Sequence, residues 1–245
     1  MTGDAGRLAL MDSSERIVYE YLSSQGFSDV AYEPDGNVPP DFLLNGRIAV
    51  EVRRLNQNAD TADGPHGLEE TAIPLQARIR KLLATLGSSN SGKSWFVIYS
   101  FRRPLAPWDQ LANALRSDLT IFQGDSERQP TTREVAAGFS IRLIRAGHPH
   151  ADSFVFGGYI DLDSGGFILS EMDRNIRICV TEKTKRVAHV RERYPHWWLI
   201  LVDRIGYGRL TGLDHERLSQ LLQLDHSWDK IILINPLDAT QGYEL

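Results

Sequence analysis

The 245-residue chain has a single cysteine, Cys179, which excludes an internal disulfide and fits a reducing cytoplasm. It has no apolar run long enough to span a bilayer. Its first residues, MTGDAGRLALMDSSER, lack the charged start and apolar core of a secretion signal. It also lacks an excess of positive charge: 27 Lys and Arg against 32 Asp and Glu leave a formal charge of -5. That balance excludes a protein that coats nucleic acid through bulk charge, so any DNA contact must come from a local patch. There is no internal repeat or low-complexity tract. What remains is an ordinary globular composition, 42% hydrophobic and 24% charged, in a chain long enough for one α/β domain carrying insertions.

The most informative stretch is residues 40–56, PDFLLNGRIAVEVRRLN. Two short apolar, β-branched runs flank Asn45-Gly46, a strong turn signal, and together they predict a β-hairpin. In the second strand Ile48, Val50 and Val52 share one face, and Ala49, Glu51 and Arg53 the other. The place of Asp41 depends on the loop. A two-residue Asn45-Gly46 turn sets Asp41 across from Val50, facing away from Glu51. A three-residue loop, Leu44-Asn45-Gly46, sets it across from Ala49, on the face of Glu51. In the second register two carboxylates, with the Val52 carbonyl between them, form a half-cage of hard oxygens suited to Mg²⁺.

Pro40-Asp41, a hairpin, then Glu51-Val52-Arg53 resembles the signature of the PD-(D/E)XK nuclease superfamily, with Arg53 in the position of the signature lysine. A lysine orients or helps deprotonate the attacking water, whereas an arginine stays charged and only clamps. The resemblance implies a restriction-endonuclease-like core, a central mixed β-sheet flanked by helices. It also implies Mg²⁺ or Mn²⁺ held by Asp41, Glu51 and Val52, and hydrolysis of a phosphodiester in DNA. The superfamily commonly opens with a helix whose glutamate reaches the metal. Glu15 matches that place, with Glu20 as its rival; as a plain structural feature Glu15 is a first-turn acid favourable to the helix dipole.

Taken in order, Ser13-Ser14 caps a helix over residues 15–24, and Gly26 stops it. A short strand at 29–33 leads to the hairpin, and residues 56–67 form a polar loop. A helix over 68–86 follows, with Pro74 near its start and a basic stretch at Arg78, Arg80 and Lys81. Residues 87–94, GSSNSGKS, satisfy the phosphate-binding P-loop pattern letter for letter. The context is wrong for it: the segment leaves a helix and enters the apolar strand SWFVIYSF, so no helix N-terminus is available to hold phosphates. A helix at 108–122, a polar loop at 123–134 and strands at 139–143 and 153–162 come next. Asp161 and Asp163 precede a Gly-Gly turn and read as turn residues. His148 and His150 have no third ligand nearby.

A helix over 172–193 carries Ile176, Val180, Val187 and Val190 on one stripe, and the missing member of that stripe is Lys183. A lysine there snorkels outward by default. In a core helix it instead aims at whatever lies over the sheet and supplies the cation that Arg53 does not. Strand 197–203, helix 214–224 and strand 230–235 complete the chain. The expected organisation is one domain with its core at 13–54 and 171–204, an insertion at 56–170 and a C-terminal addition at 205–245. The competing assignment closes the core with helix 68–86 and SWFVIYSF.

The catalytic expectation therefore rests on Asp41, Glu51, Arg53, Glu15 and Lys183. The rivals are a catalytically degenerate nuclease fold serving as a nucleic-acid-binding or assembly module, and a P-loop nucleotide hydrolase. No dedicated DNA-recognition motif is present, which leaves room for a separate targeting protein.

Overall fold

The structure, a computed structural model, describes residues 10–62, 64–88 and 93–245. The chain divides into two compact units, one formed by residues up to 65 together with 166–245, the other by residues 66–165. Both are α/β, each with a mixed sheet and helices packed on it.

The first unit begins with α1 (Ser13–Ser24). Its cap is Asp12 rather than the expected serines: the Asp12 carboxylate accepts from the amides of Ser14 and Glu15, and Glu15 returns a bond to the Asp12 amide. This reciprocal pair satisfies orphan amides at the helix start. Gly26, at φ 86°, ends the helix in a backbone conformation that L side chains avoid. Strands β1 (Val30–Tyr32), β2 (Phe42–Leu44) and β3 (Ile48–Leu55) form an antiparallel meander. β4 (Asn58–Thr61) and β5 (Gly64–Gly67) pair as a small separate sheet, where only loop was expected. Polar, Gly-bearing strands carry no periodic apolar signal, which is why this pair was not legible.

In the second unit, α2 (Leu68–Ala84), with Pro74 inside it, and α3 (Trp108–Gly124) cover one face of a four-stranded sheet. That sheet has β6 (Trp95–Phe101), β7 (Thr131–Ala136), β8 (Phe139–Arg145) and β9 (Phe154–Asp161) in the order β7-β8-β6-β9. β7 was expected as loop; it is an edge strand with exposed Thr132 and Glu134, so it needs little apolar content. β6 alternates strictly, with Trp95, Val97, Tyr99 and Phe101 turned into the core.

The first unit resumes with α4 (Ile168–Val187), which starts and ends before the expected 172–193 and is followed by a short 3₁₀ turn, Arg191–Arg193. Pro195 disfavours continued helix in the residue before it, and Tyr194 is extended. β10 (His196–Asp203), α5 (Gly212–Leu222), β11 (Lys230–Ile234) and an additional β12 (Gly242–Glu244) complete the unit.

The six-stranded sheet runs β1-β2-β3-β10-β11-β12, with β3, β10 and β11 mutually parallel and the rest antiparallel. β3 therefore finds its neighbour in β10, while β6 lies in the other sheet; the competing core assignment is excluded. The period of two sorts β3 between two layers. Val50 and Val52 join Val18, Tyr21 and Leu22 of α1 on one side. Ala49 and Leu55 join Met172, Ile176, Cys179 and Val180 of α4 on the other. Glu51 and Arg53 share the α4 side, so a carboxylate and a guanidinium lie beneath a helix. Among the described residues no helix is long and apolar enough to cross a membrane.

Candidate functional site

Neither expected hairpin register is found. Asn45 and Gly46 both have positive φ, and the Arg47 amide donates to the Leu44 carbonyl across them, 3.0 Å. Ladder pairing then resumes as Leu44 with Ile48, Leu43 with Ala49 and Phe42 with Val50. The loop has three residues, but they are Asn45, Gly46 and Arg47. Continuing the ladder one step places Asp41 directly across from Glu51, closer than either expected register allowed. The Asp41 Oδ2 accepts the Val52 amide at 2.7 Å. Val52 thus contributes its N–H to this site, where its carbonyl was expected.

Three elements converge here. Lys183 of α4 brings its Nζ to 2.5 Å from Glu51 Oε2 and 3.7 Å from Asp41 Oδ2. Glu51 is completely buried and the Lys183 side chain is 8% exposed, while Asp41 at 20% keeps the group open to solvent. Glu51 Oε1 is buried and has no hydrogen-bond partner. Burial, and next the negative charge of Asp41, raise the Glu51 pKa; Lys183 and Arg186 act against them. The ammonium offsets part of the desolvation cost of a carboxylate that lies wholly inside the protein.

The remaining candidates are placed otherwise. Arg53 turns to α4, where its Nη2 meets Glu182 Oε2 at 3.0 Å. Its charge also bears on the buried Cys179 thiol, which burial nonetheless pushes up to about 11. Glu15 is committed to the α1 cap, and its Oε2 also accepts the Tyr32 hydroxyl at 3.0 Å. Burial foremost raises the Glu15 pKa, and the charges of Asp12 and Asp41 add to it. The Tyr32 hydroxyl is raised as well, first by burial and then by its bond to Glu15. Tyr32 went unnoticed in the sequence, as did the tie between Asn175 and Asn58, where Asn175 Oδ1 accepts both the amide and the side-chain Nδ2 of Asn58. A lone Tyr or Asn in a short element carries no signal of its partner.

Two carboxylates facing each other, one with an unpartnered buried oxygen, fit a small hard cation that completes its shell with water and substrate oxygens. Among the described residues no group of three or more His, Cys, Asp or Glu is arranged to hold a metal. Any ion at Asp41 and Glu51 would thus rest on two protein carboxylates. Elsewhere, Asp161 and Asp163 grip Arg103 at 2.7 and 3.1 Å, as structural turn residues do. Of the P-loop-like segment, residues 89–92 lie outside the described residues. Its Ser94 is buried, with the hydroxyl engaged by the backbone of His150 and Asp152, and β6 rather than a helix follows.

No protein-family model, curated protein or solved structure matches this chain.

Proposed function

We propose that the chain is a metal-dependent phosphodiester hydrolase of the PD-(D/E)XK type acting on DNA, with Lys183 as its working cation. The observation that carries this reading is the convergence of Asp41, Glu51 and Lys183, from the hairpin and from a helix far along the chain, with Nζ 2.5 Å from one carboxylate and 3.7 Å from the other. The order α1, β1, β2, β3, α4, β10, with β10 parallel to β3, supports a restriction-endonuclease-like core, and residues 66–165 sit within it as an insertion.

In this reading Asp41 and Glu51 hold Mg²⁺ or Mn²⁺. The bound ion polarises the scissile phosphate and acidifies a water. The Val52 amide fixes the Asp41 carboxylate. Lys183, held by Glu51, presents fixed positive charge where negative charge grows on the phosphate oxygens. Glu15 keeps the start of α1 in place beside Asp41 and orders Tyr32. Arg53, engaged by Glu182, is not the group that meets the phosphate.

A second reading, a degenerate nuclease fold that binds nucleic acid or assembles with other proteins, is favoured by one observation. Lys183 already neutralises the acidic pair, so both carboxylates can persist with no metal between them. Cleavage separates the readings. Circular single-stranded and supercoiled double-stranded DNA are incubated with the protein in Mg²⁺ or Mn²⁺, beside Asp41→Ala, Glu51→Ala and Lys183→Ala. Metal-dependent cleavage lost in all three variants supports the hydrolase. A folded wild-type protein that leaves both substrates intact yet retains them on a native gel favours the binding module.

A further inference from the structure

We propose that Arg53 is a positioning residue: through Glu182 it sets α4 over β3 so that the next helical residue, Lys183, meets Glu51. The consequence for cleavage rests on the hydrolase reading above; the geometry does not.

On β3 an acid and a base, Glu51 and Arg53, share a face about 7 Å apart along the strand. On α4 an acid and a base, Glu182 and Lys183, are adjacent. They meet crosswise, Lys183 with Glu51 at 2.5 Å and Glu182 with Arg53 at 3.0 Å, as two rungs between strand and helix. Turning α4 by one residue brings Glu182 toward Glu51 and Lys183 toward Arg53, so like charges meet at both rungs. At a completely buried Glu51 that repulsion is poorly screened. The Arg53 rung is half-exposed, with side chains 40% and 41% accessible, and such a pair adds little stability by itself. Its effect is to discriminate between registers of the helix. The Arg53 Nε is buried without a hydrogen-bond partner, which fits a guanidinium held in one orientation against the helix rather than free to swing toward Asp41. Two turns earlier the Asn175–Asn58 tie holds the other end of the same helix face. The arginine in the signature position is then no defect: the lysine has moved to α4, and the arginine holds α4 where the lysine is needed.

The test uses Arg53→Glu, the milder Arg53→Gln, the reversed pair Arg53→Glu with Glu182→Arg, and a control, Asp173→Ala. Asp173 pairs with Arg177 within α4, so its loss removes an ion pair from the same helix without touching either rung. The first readout needs no DNA and no metal: the rate at which an amine-acylating reagent modifies Lys183 in the folded protein, mapped by mass spectrometry. Wild type and Asp173→Ala are protected. Arg53→Glu raises the rate about tenfold and Arg53→Gln about threefold, in line with the coupling of contacting residues. The reversed pair returns to within about twofold of wild type. The second readout is cleavage of DNA in Mg²⁺, where Arg53→Glu lowers kcat with KM little changed, and the reversed pair restores it. Wild-type protection in Arg53→Glu and Arg53→Gln, or a reversed pair no better than Arg53→Glu, overturns the proposal and leaves the hydrolase reading standing. The expected protection pattern in a protein that cleaves nothing upholds the positioning role and removes the hydrolase reading.

Discussion

Replacing Lys183 with methionine removes the ammonium 2.5 Å from Glu51 and leaves that carboxylate fully buried. Removing one partner of a buried ion pair costs about 3–5 kcal/mol, because the remaining charge is left uncompensated. Glu51 has one escape, which is to keep a proton. Burial and Asp41 already hold its pKa above the ordinary value of 4.5, and without Lys183 the largest opposing influence is gone. An acid whose pKa is higher folded than unfolded contributes most to stability below the unfolded value, and that contribution is lost as pH rises toward the folded value. The deficit of Lys183→Met is therefore small near the unfolded value of 4.5 and grows with pH. The growth is at most about 1.4 kcal/mol per pH unit, which brings the deficit to about 3 kcal/mol near neutrality. Urea unfolding followed by tryptophan fluorescence, in EDTA and across this pH range, reads the deficit directly. The double variant Glu51→Gln with Lys183→Met carries neither charge, so it should recover to within about 1 kcal/mol of wild type and lose the pH slope. A Lys183→Met protein as stable as wild type at neutral pH, or one whose deficit is the same at every pH, would refute the reasoning.

Two further predictions concern groups away from this pair. The Cys179 thiol, buried and pushed up to about 11, should resist a thiol-reactive disulfide at neutral pH and react with one equivalent once the protein is denatured; rapid reaction in the native state would mean that α4 lifts from β3. Arg103→Met leaves Asp161 and Asp163 without their cation, and because the Asp161 side chain is only 7% exposed the thermal stability of residues 66–165 should fall by about 3 kcal/mol, with a change below about 1 kcal/mol arguing against a buried pair.

What could be read from the chain alone was local. The Asn45-Gly46 turn, the period of two through Ile48 to Arg53 and the helical stripe from Ile176 to Val190 each depend on neighbours a few residues away. They sufficed to place a hairpin, to set Asp41 and Glu51 apart as candidate acids, and to mark Lys183 as a misfit in an apolar stripe. The structure decided everything that depends on distant partners. Arg47 joins the turn and sets Asp41 across from Glu51, and no turn rule anticipated which three residues the loop would use. β10 lies beside β3 while β6 joins another sheet, so it is α4 that covers Glu51. Lys183 and Glu51 are 132 residues apart, and Arg53 and Glu182 are 129 apart. Periodicity specifies the face on which a side chain stands, whereas the charge it meets there is specified by which elements share a core, and that is a property of the whole chain.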